Sequence, residues 1–113
     1  MEWLPRMLRV RELLRTQPEE ALSEAERLLE GARREVLAAA ARCGSEAERQ
    51  RLLELEFKLR SAARSMRASR ARLRAAESED DVRLALRDAE ADVEEALGYL
   101  EQAQALLSRP SNR

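Results

Sequence analysis

Carboxylates and arginines supply most of the reactive groups in this chain: 22 Asp and Glu face 21 Lys and Arg, with one cysteine and no histidine. Catalysis by such a set needs particular settings, and the spacing does not provide them. A helical di-iron centre takes Glu-x-x-His pairs, which a chain without histidine cannot form. Histidine triads and His-ligated metals are excluded for the same reason. Adjacent acids such as Glu94 and Glu95 have no apolar setting that would raise one of their pKa values. No glycine-rich phosphate loop and no serine elbow is present. Cys43 has Arg42 as its one basic neighbour in sequence and reads as a small buried hydrophobe. A single cysteine also excludes an internal disulfide framework. The expectation is a non-enzyme with no cofactor and no metal.

Recognition is the chemistry that remains. Residues 57–76, FKLRSAARSMRASRARLRAA, hold Lys58, Arg60, Arg64, Arg67, Arg70, Arg72 and Arg74 and no acid. Arg60, Arg64, Arg67 and Arg74 share one stripe at helical spacing, able to grip phosphates bidentately or to meet an acidic protein. Against nucleic acid stand the net charge of −1 and the lack of aromatics between the arginines to stack bases. The acids Asp88, Glu90, Asp92, Glu94, Glu95 and Glu101 lie in a stretch without bases and are expected to neutralise the stripe from a neighbouring helix.

The elements that position these groups are helices. Ala, Leu, Arg and Glu make up 77 of 113 residues, isoleucine is absent, and there are three glycines, three prolines and three aromatics. That composition favours an all-α chain and disfavours an extended sheet. Capping signals divide it. Thr16-Gln17-Pro18-Glu19 and Ser45-Glu46-Ala47-Glu48 read as capping boxes, Gly44 as a left-handed helix stop, and Ser78 with the acids after it as a third start. Pro110 ends the last helix. The predicted helices span 3–15, 17–43, 46–76 and 79–107, in one domain over 1–109 with a polar tail at 110–113. The weakest break is at Ser78, and fusion of the last two helices into one rod would favour an intermolecular coiled coil.

The heptads support long helices. Leu22, Leu29, Val36 and Cys43 are seven apart, with Ala25, Ala32 and Ala39 between or beyond them. Leu86, Val93, Leu100 and Leu107 alternate with Val82, Ala89, Ala96 and Ala103 in the same way. The third helix carries a bulkier seam of Leu52, Leu55, Leu59, Ala62, Met66, Ser69, Leu73 and Ala76. These patterns predict an all-α, elongated antiparallel bundle of three long helices plus a short N-terminal helix, with coiled-coil-like packing.

What the seams leave over locates the expected contacts. The first helix has a stripe of Trp3, Met7, Val10 and Leu14, and Leu53 and Phe57 form a second face on the third helix. Docking of the first helix on Leu53 and Phe57 is one use of these faces; a partner helix or a second copy is the other. Gly31 and Gly98 fall on outward positions, and Tyr99 beside Gly98 is a further contact candidate. The function that follows is a protein–protein interaction module, such as an adaptor, a small chaperone or an assembly subunit. Its partner-binding residues are Trp3, Met7, Val10, Leu14, Leu53, Phe57 and Tyr99. The alternatives are a nucleic-acid binder using the stripe of residues 58–74 and a homodimeric structural coiled coil. No run approaches the ~20 apolar residues of a membrane helix, and no signal peptide stands at the N-terminus. A cytoplasmic protein without membrane insertion is expected.

Overall fold

The structure, a computed structural model, describes residues 2–108. Within them lie four helices and no strand: α1 (Trp3–Leu13), α2 (Pro18–Arg42), α3 (Glu46–Ala75) and α4 (Glu79–Leu107). The Pro110 stop and the tail at 110–113 lie outside the described residues. The helices form an elongated bundle with principal extents of 56 × 21 × 16 Å.

Two of the three expected starts carry their caps. The Ser45 hydroxyl accepts from the Glu48 amide at 3.3 Å, and the Ser78 hydroxyl from the Asp81 amide at 3.1 Å. Ser78 therefore separates α3 from α4, and the two pair as a hairpin rather than continuing as a rod. Thr16 departs from its expected role. Its amide and hydroxyl both turn back to the Leu13 carbonyl, at 3.0 and 3.4 Å, so it closes α1 instead of opening α2. Gln17 takes the cap position without a side-chain bond, and Pro18 at the start of α2 removes one amide that would need a partner. Gly44 is not left-handed. The chain leaves α2 through extended Cys43, whose carbonyl accepts from Arg49 Nη2 at 2.7 Å. An arginine from across the turn thus serves a carbonyl at the helix end, and no left-handed glycine is needed.

The core follows the seams. Leu22, Ala25, Leu29, Ala32 and Val36 of α2, Leu59, Ala62, Ala63 and Met66 of α3, and Ala89, Val93, Ala96, Leu100 and Ala103 of α4 are buried together. At the α2 end Ala40 replaces Ala39 inside, and Cys43 is half-buried at the turn. At the start of α4 Val82 is exposed and Ala85 is buried in its place. Ion pairs set the antiparallel register of α2 and α3: Arg33 meets Glu56, Glu26 meets Arg67, and Glu19 meets Arg74. Asp92 carries the polar links across the α3–α4 seam. Ser69, fully buried, donates to Asp92 at 2.9 Å and accepts from Arg72 at 3.1 Å, so its hydroxyl is satisfied on both sides.

The short helix lies elsewhere than expected. α1 packs against α2 and α4 and does not reach α3. Trp3, Met7, Val10 and Leu14 join the buried cluster there, and Arg6 and Arg11 pair with Glu24 of α2 and Glu94 of α4 at 2.5 and 3.0 Å. Three residues, Leu14 to Thr16, and the cap Gln17 separate α1 from Pro18. So short a connection folds α1 back along α2, where the alanines of α2 and α4 leave space for its large side chains.

Candidate protein-interaction surface

α3 is the helix with two apolar faces. Its buried face fills the core, and its opposite face carries Leu53 and Phe57, which remain 37% and 59% exposed because α1 does not cover them. The α2–α3 register adds a residue the heptads did not reveal. Leu37 lies four residues beyond Arg33, and Leu53 lies three residues before Glu56. Since Arg33 bonds Glu56 across an antiparallel pair, both leucines move toward the same end of the hairpin and sit at one level. Leu37 is 42% exposed. A signal for it was present in sequence: Leu37 falls outside both the Leu22, Leu29, Val36 and the Ala25, Ala32, Ala39 heptad positions.

A charged network underlies this patch. The Glu56 side chain, 7% exposed, accepts from Arg33 at 3.0 Å and from Arg60 at 3.4 Å, while Arg33 also donates to Glu30 at 3.2 Å. Glu56 first and Glu30 second raise the pKa of the Arg33 guanidinium above its ordinary value, so it stays charged. The Arg60 guanidinium lies 5.5 Å from the centre of the Phe57 ring, within cation–π range. Leu37, Leu53 and Phe57 therefore stand beside a line of paired charges.

No family model, curated protein or solved structure matches the chain.

The arginine stripe is neutralised in part, by Glu19 and Glu26 of α2 and, at Arg60, by Glu56 of α3 itself rather than by α4. Arg67 and Arg70 share Glu26, at 3.3 and 2.6 Å, and Arg74 meets Glu19 at 2.6 Å. Of the α4 acids only Asp92 reaches α3, pairing with Arg72 at 3.7 Å. The reason is angular: the stripe lies on the flank of α3 that faces α2, whereas Glu94 is turned to α1. Among the described residues Arg64 pairs with no carboxylate.

The remaining expected contacts are dispersed. Trp3, Met7, Val10 and Leu14 are buried within the chain and form no exposed surface, which corrects the expectation that they face a partner. Tyr99 is half-buried on the α3–α4 seam with the Lys58 ammonium 5.9 Å from its ring centre, away from Phe57. Gly31 and Gly98 face open space, so neither permits a close helix approach inside the chain. An open cleft of about 770 Å³ between α1 and α4 is lined by Arg11, Arg15, Arg87, Glu12, Glu90, Glu94 and Ala91. Its three arginines and three glutamates balance in sign and select no ligand class. Among the described residues no three His, Cys, Asp or Glu side chains converge as a metal ion requires, and no helix is long and apolar enough to cross a membrane.

Proposed function

We propose that the protein is a non-enzymatic protein-interaction module of the cytoplasm, an adaptor or assembly subunit, that binds through the outer face of the α2–α3 hairpin. One observation carries this reading: Phe57, the single phenylalanine, stands 59% exposed beside Leu53 and Leu37 on a rigid, ion-paired pair of helices. Aromatic and aliphatic side chains held in this way are the anchors on which interfaces concentrate their affinity. Arg60 and Arg64 at its border supply orientation and partner choice. The nucleic-acid alternative has less support, because four of the seven cations at 58–74 are engaged by Glu19, Glu26 and Asp92.

Site-specific photo-crosslinking in the source cell tests the proposal. A crosslinker replacing Phe57 is expected to capture protein, another copy of the chain included, whereas one replacing exposed Glu35 of α2 captures none. Capture of nucleic acid alone, or equal yields from the two positions, overturns it.

A further inference from the structure

α1 sits on the long helices as a bound helix sits in a receptor groove. Its anchors Trp3, Met7, Val10 and Leu14 are spaced by four, three and four residues, the pattern of an amphipathic helix laid in an apolar groove. All four are buried. Arginines on either side of the stripe meet one acid on each wall, Arg6 with Glu24 of α2 and Arg11 with Glu94 of α4. Among the described residues these two are the side-chain hydrogen bonds that tie α1 to the long helices, and both arginines stay about half exposed. Exposed pairs of this kind hold weakly, so α1 is kept in place mainly by its apolar stripe.

The polar fit is incomplete on the α4 side, where the open cleft of about 770 Å³ lies between α1 and α4. Glu90 stands one turn from Glu94 and Arg15 one turn from Arg11, in the directions an antiparallel pair of helices would match. Yet among the described residues neither Glu90 nor Arg15 has an ion-pair partner. α1 also brings Glu12 into that cleft with Glu90 and Glu94, and Arg87 is the one cation on the α4 wall. The resident helix thus leaves one pair unmade and adds a carboxylate where two already stand. A helix with the same apolar stripe and a base in place of Glu12 suits the groove better. We propose that the α2–α4 groove is a binding site for a basic amphipathic helix of a partner protein, and that α1 is its built-in, replaceable occupant. This site is separate from the outer α2–α3 face and does not rest on it. The short connection presents α1 to the groove at an effective concentration of roughly millimolar. Weak ligands are therefore kept out, and only a helix that fits better than α1 displaces it.

Trp3, the single tryptophan, reports the exchange, because in the docked helix it is 8% exposed. The probe is a synthetic peptide of residues 2–15 carrying Trp3→Phe, so that only the protein fluoresces, and Glu12→Arg. Added to the full chain, it is expected to bind saturably and to shift Trp3 emission to the red as α1 enters water. The same peptide with Glu12 retained should need a few-fold higher concentration, the size of one exposed ion pair. With Met7→Glu and Val10→Glu it should not bind. A full-length Met7→Glu protein, whose own α1 no longer docks, should take the peptide at least tenfold more tightly, because the internal competitor present at roughly millimolar is gone. Circular dichroism checks that its long helices persist. Glu12→Arg in the protein itself should hold α1 more firmly and raise the peptide concentration required. Three results overturn the proposal: a helical Met7→Glu protein that does not take the peptide, binding to the unaltered chain that leaves Trp3 emission where it was, or equal binding by the peptide with Met7→Glu and Val10→Glu. Phe57→Ala should leave peptide binding unchanged, so failure of the outer-face reading and failure of this one are told apart.

Discussion

The α1 stripe and the outer face of α3 both carry large apolar side chains, yet one is sealed and the other open. Trp3, Met7, Val10 and Leu14 lie in the α2–α4 groove, while Leu53 and Phe57 stay in solvent. Charge and chain connectivity account for the difference. The N-terminal segment 1–15 carries Arg6, Arg9, Arg11 and Arg15 against the acids Glu2 and Glu12. In the groove, Arg6 and Arg11 meet Glu24 and Glu94. Over α3 they would face Arg33, Arg60 and Arg64. The short connection to α2 adds to this by returning α1 along α2. Hydrophobicity makes a stripe adhesive, and neighbouring charges and linker length decide where it adheres.

Removing the covered stripe altogether should have the largest effect. Deletion of residues 1–15 withdraws four buried side chains, each stabilising by ~1.5–3 kcal/mol when fully buried. α1 is 11 residues long, below the ~12–15 at which an isolated helix becomes marginal, so it depends on docking. The three long helices share seams that α1 does not complete. The truncated chain is expected to remain helical and to unfold cooperatively, at lower denaturant, while binding hydrophobic dye through the opened α2–α4 groove. Loss of the helical signal on truncation would show that α1 is integral to the core.

A single truncation inside the covered stripe comes next. Met7→Ala, at a position with no exposure, should cost ~2–5 kcal/mol in denaturant unfolding. Leu59→Ala, on the inner face of α3, should fall in the same range. A value under about 0.5 kcal/mol, the usual size of a surface change, would place either side chain outside the core.

Acid should destabilise the fold by a smaller amount. Hydrogen bonding from Arg27, with Arg6 as a further contributor, lowers the Glu24 pKa below its ordinary value, against an opposing effect of burial. A carboxyl with a depressed folded-state pKa stabilises the fold above its unfolded pKa, and the contribution is lost as pH falls through the folded value. Melting temperature is therefore expected to drop at acid pH, and Glu24→Gln should flatten that part of the profile. An unchanged profile in Glu24→Gln would mean that the pairs of Glu24 with Arg27 and Arg6 do not contribute.

The smallest effect should come from the open stripe. Phe57→Ala should change the stability of the isolated chain by less than ~0.5 kcal/mol while reducing association. A loss of stability comparable to that of Met7→Ala would mean Phe57 packs into the fold, and the contrast between the two stripes would disappear.

Much of the architecture was legible in sequence for local reasons. Ser45 and Ser78 bond amides three residues away, and heptad residues such as Leu29 and Val93 point inward because helical periodicity leaves them no other shared face. Locality also explains two misreadings. Thr16 and Gly44 fit cap patterns, but a preceding carbonyl drew Thr16 into α1, and Arg49 served the end of α2. Of the candidate site, Leu53 and Phe57 were readable as a second face of α3, whereas Leu37 needed the register of two helices.

Composition, periodicity and cap residues determine that this chain forms four helices, where α3 and α4 begin, and which residues of the long helices are apolar enough to be buried; all act locally, through contacts within a few turns of one helix. Which groove receives α1, which helix supplies the acids for the arginine stripe, and which apolar residues stay in solvent depend on contacts between residues 18 to 83 positions apart, such as Arg6 with Glu24 and Arg11 with Glu94. No single-helix pattern encodes those pairings, because a side chain's angle about its own axis does not say which neighbour lies in that direction.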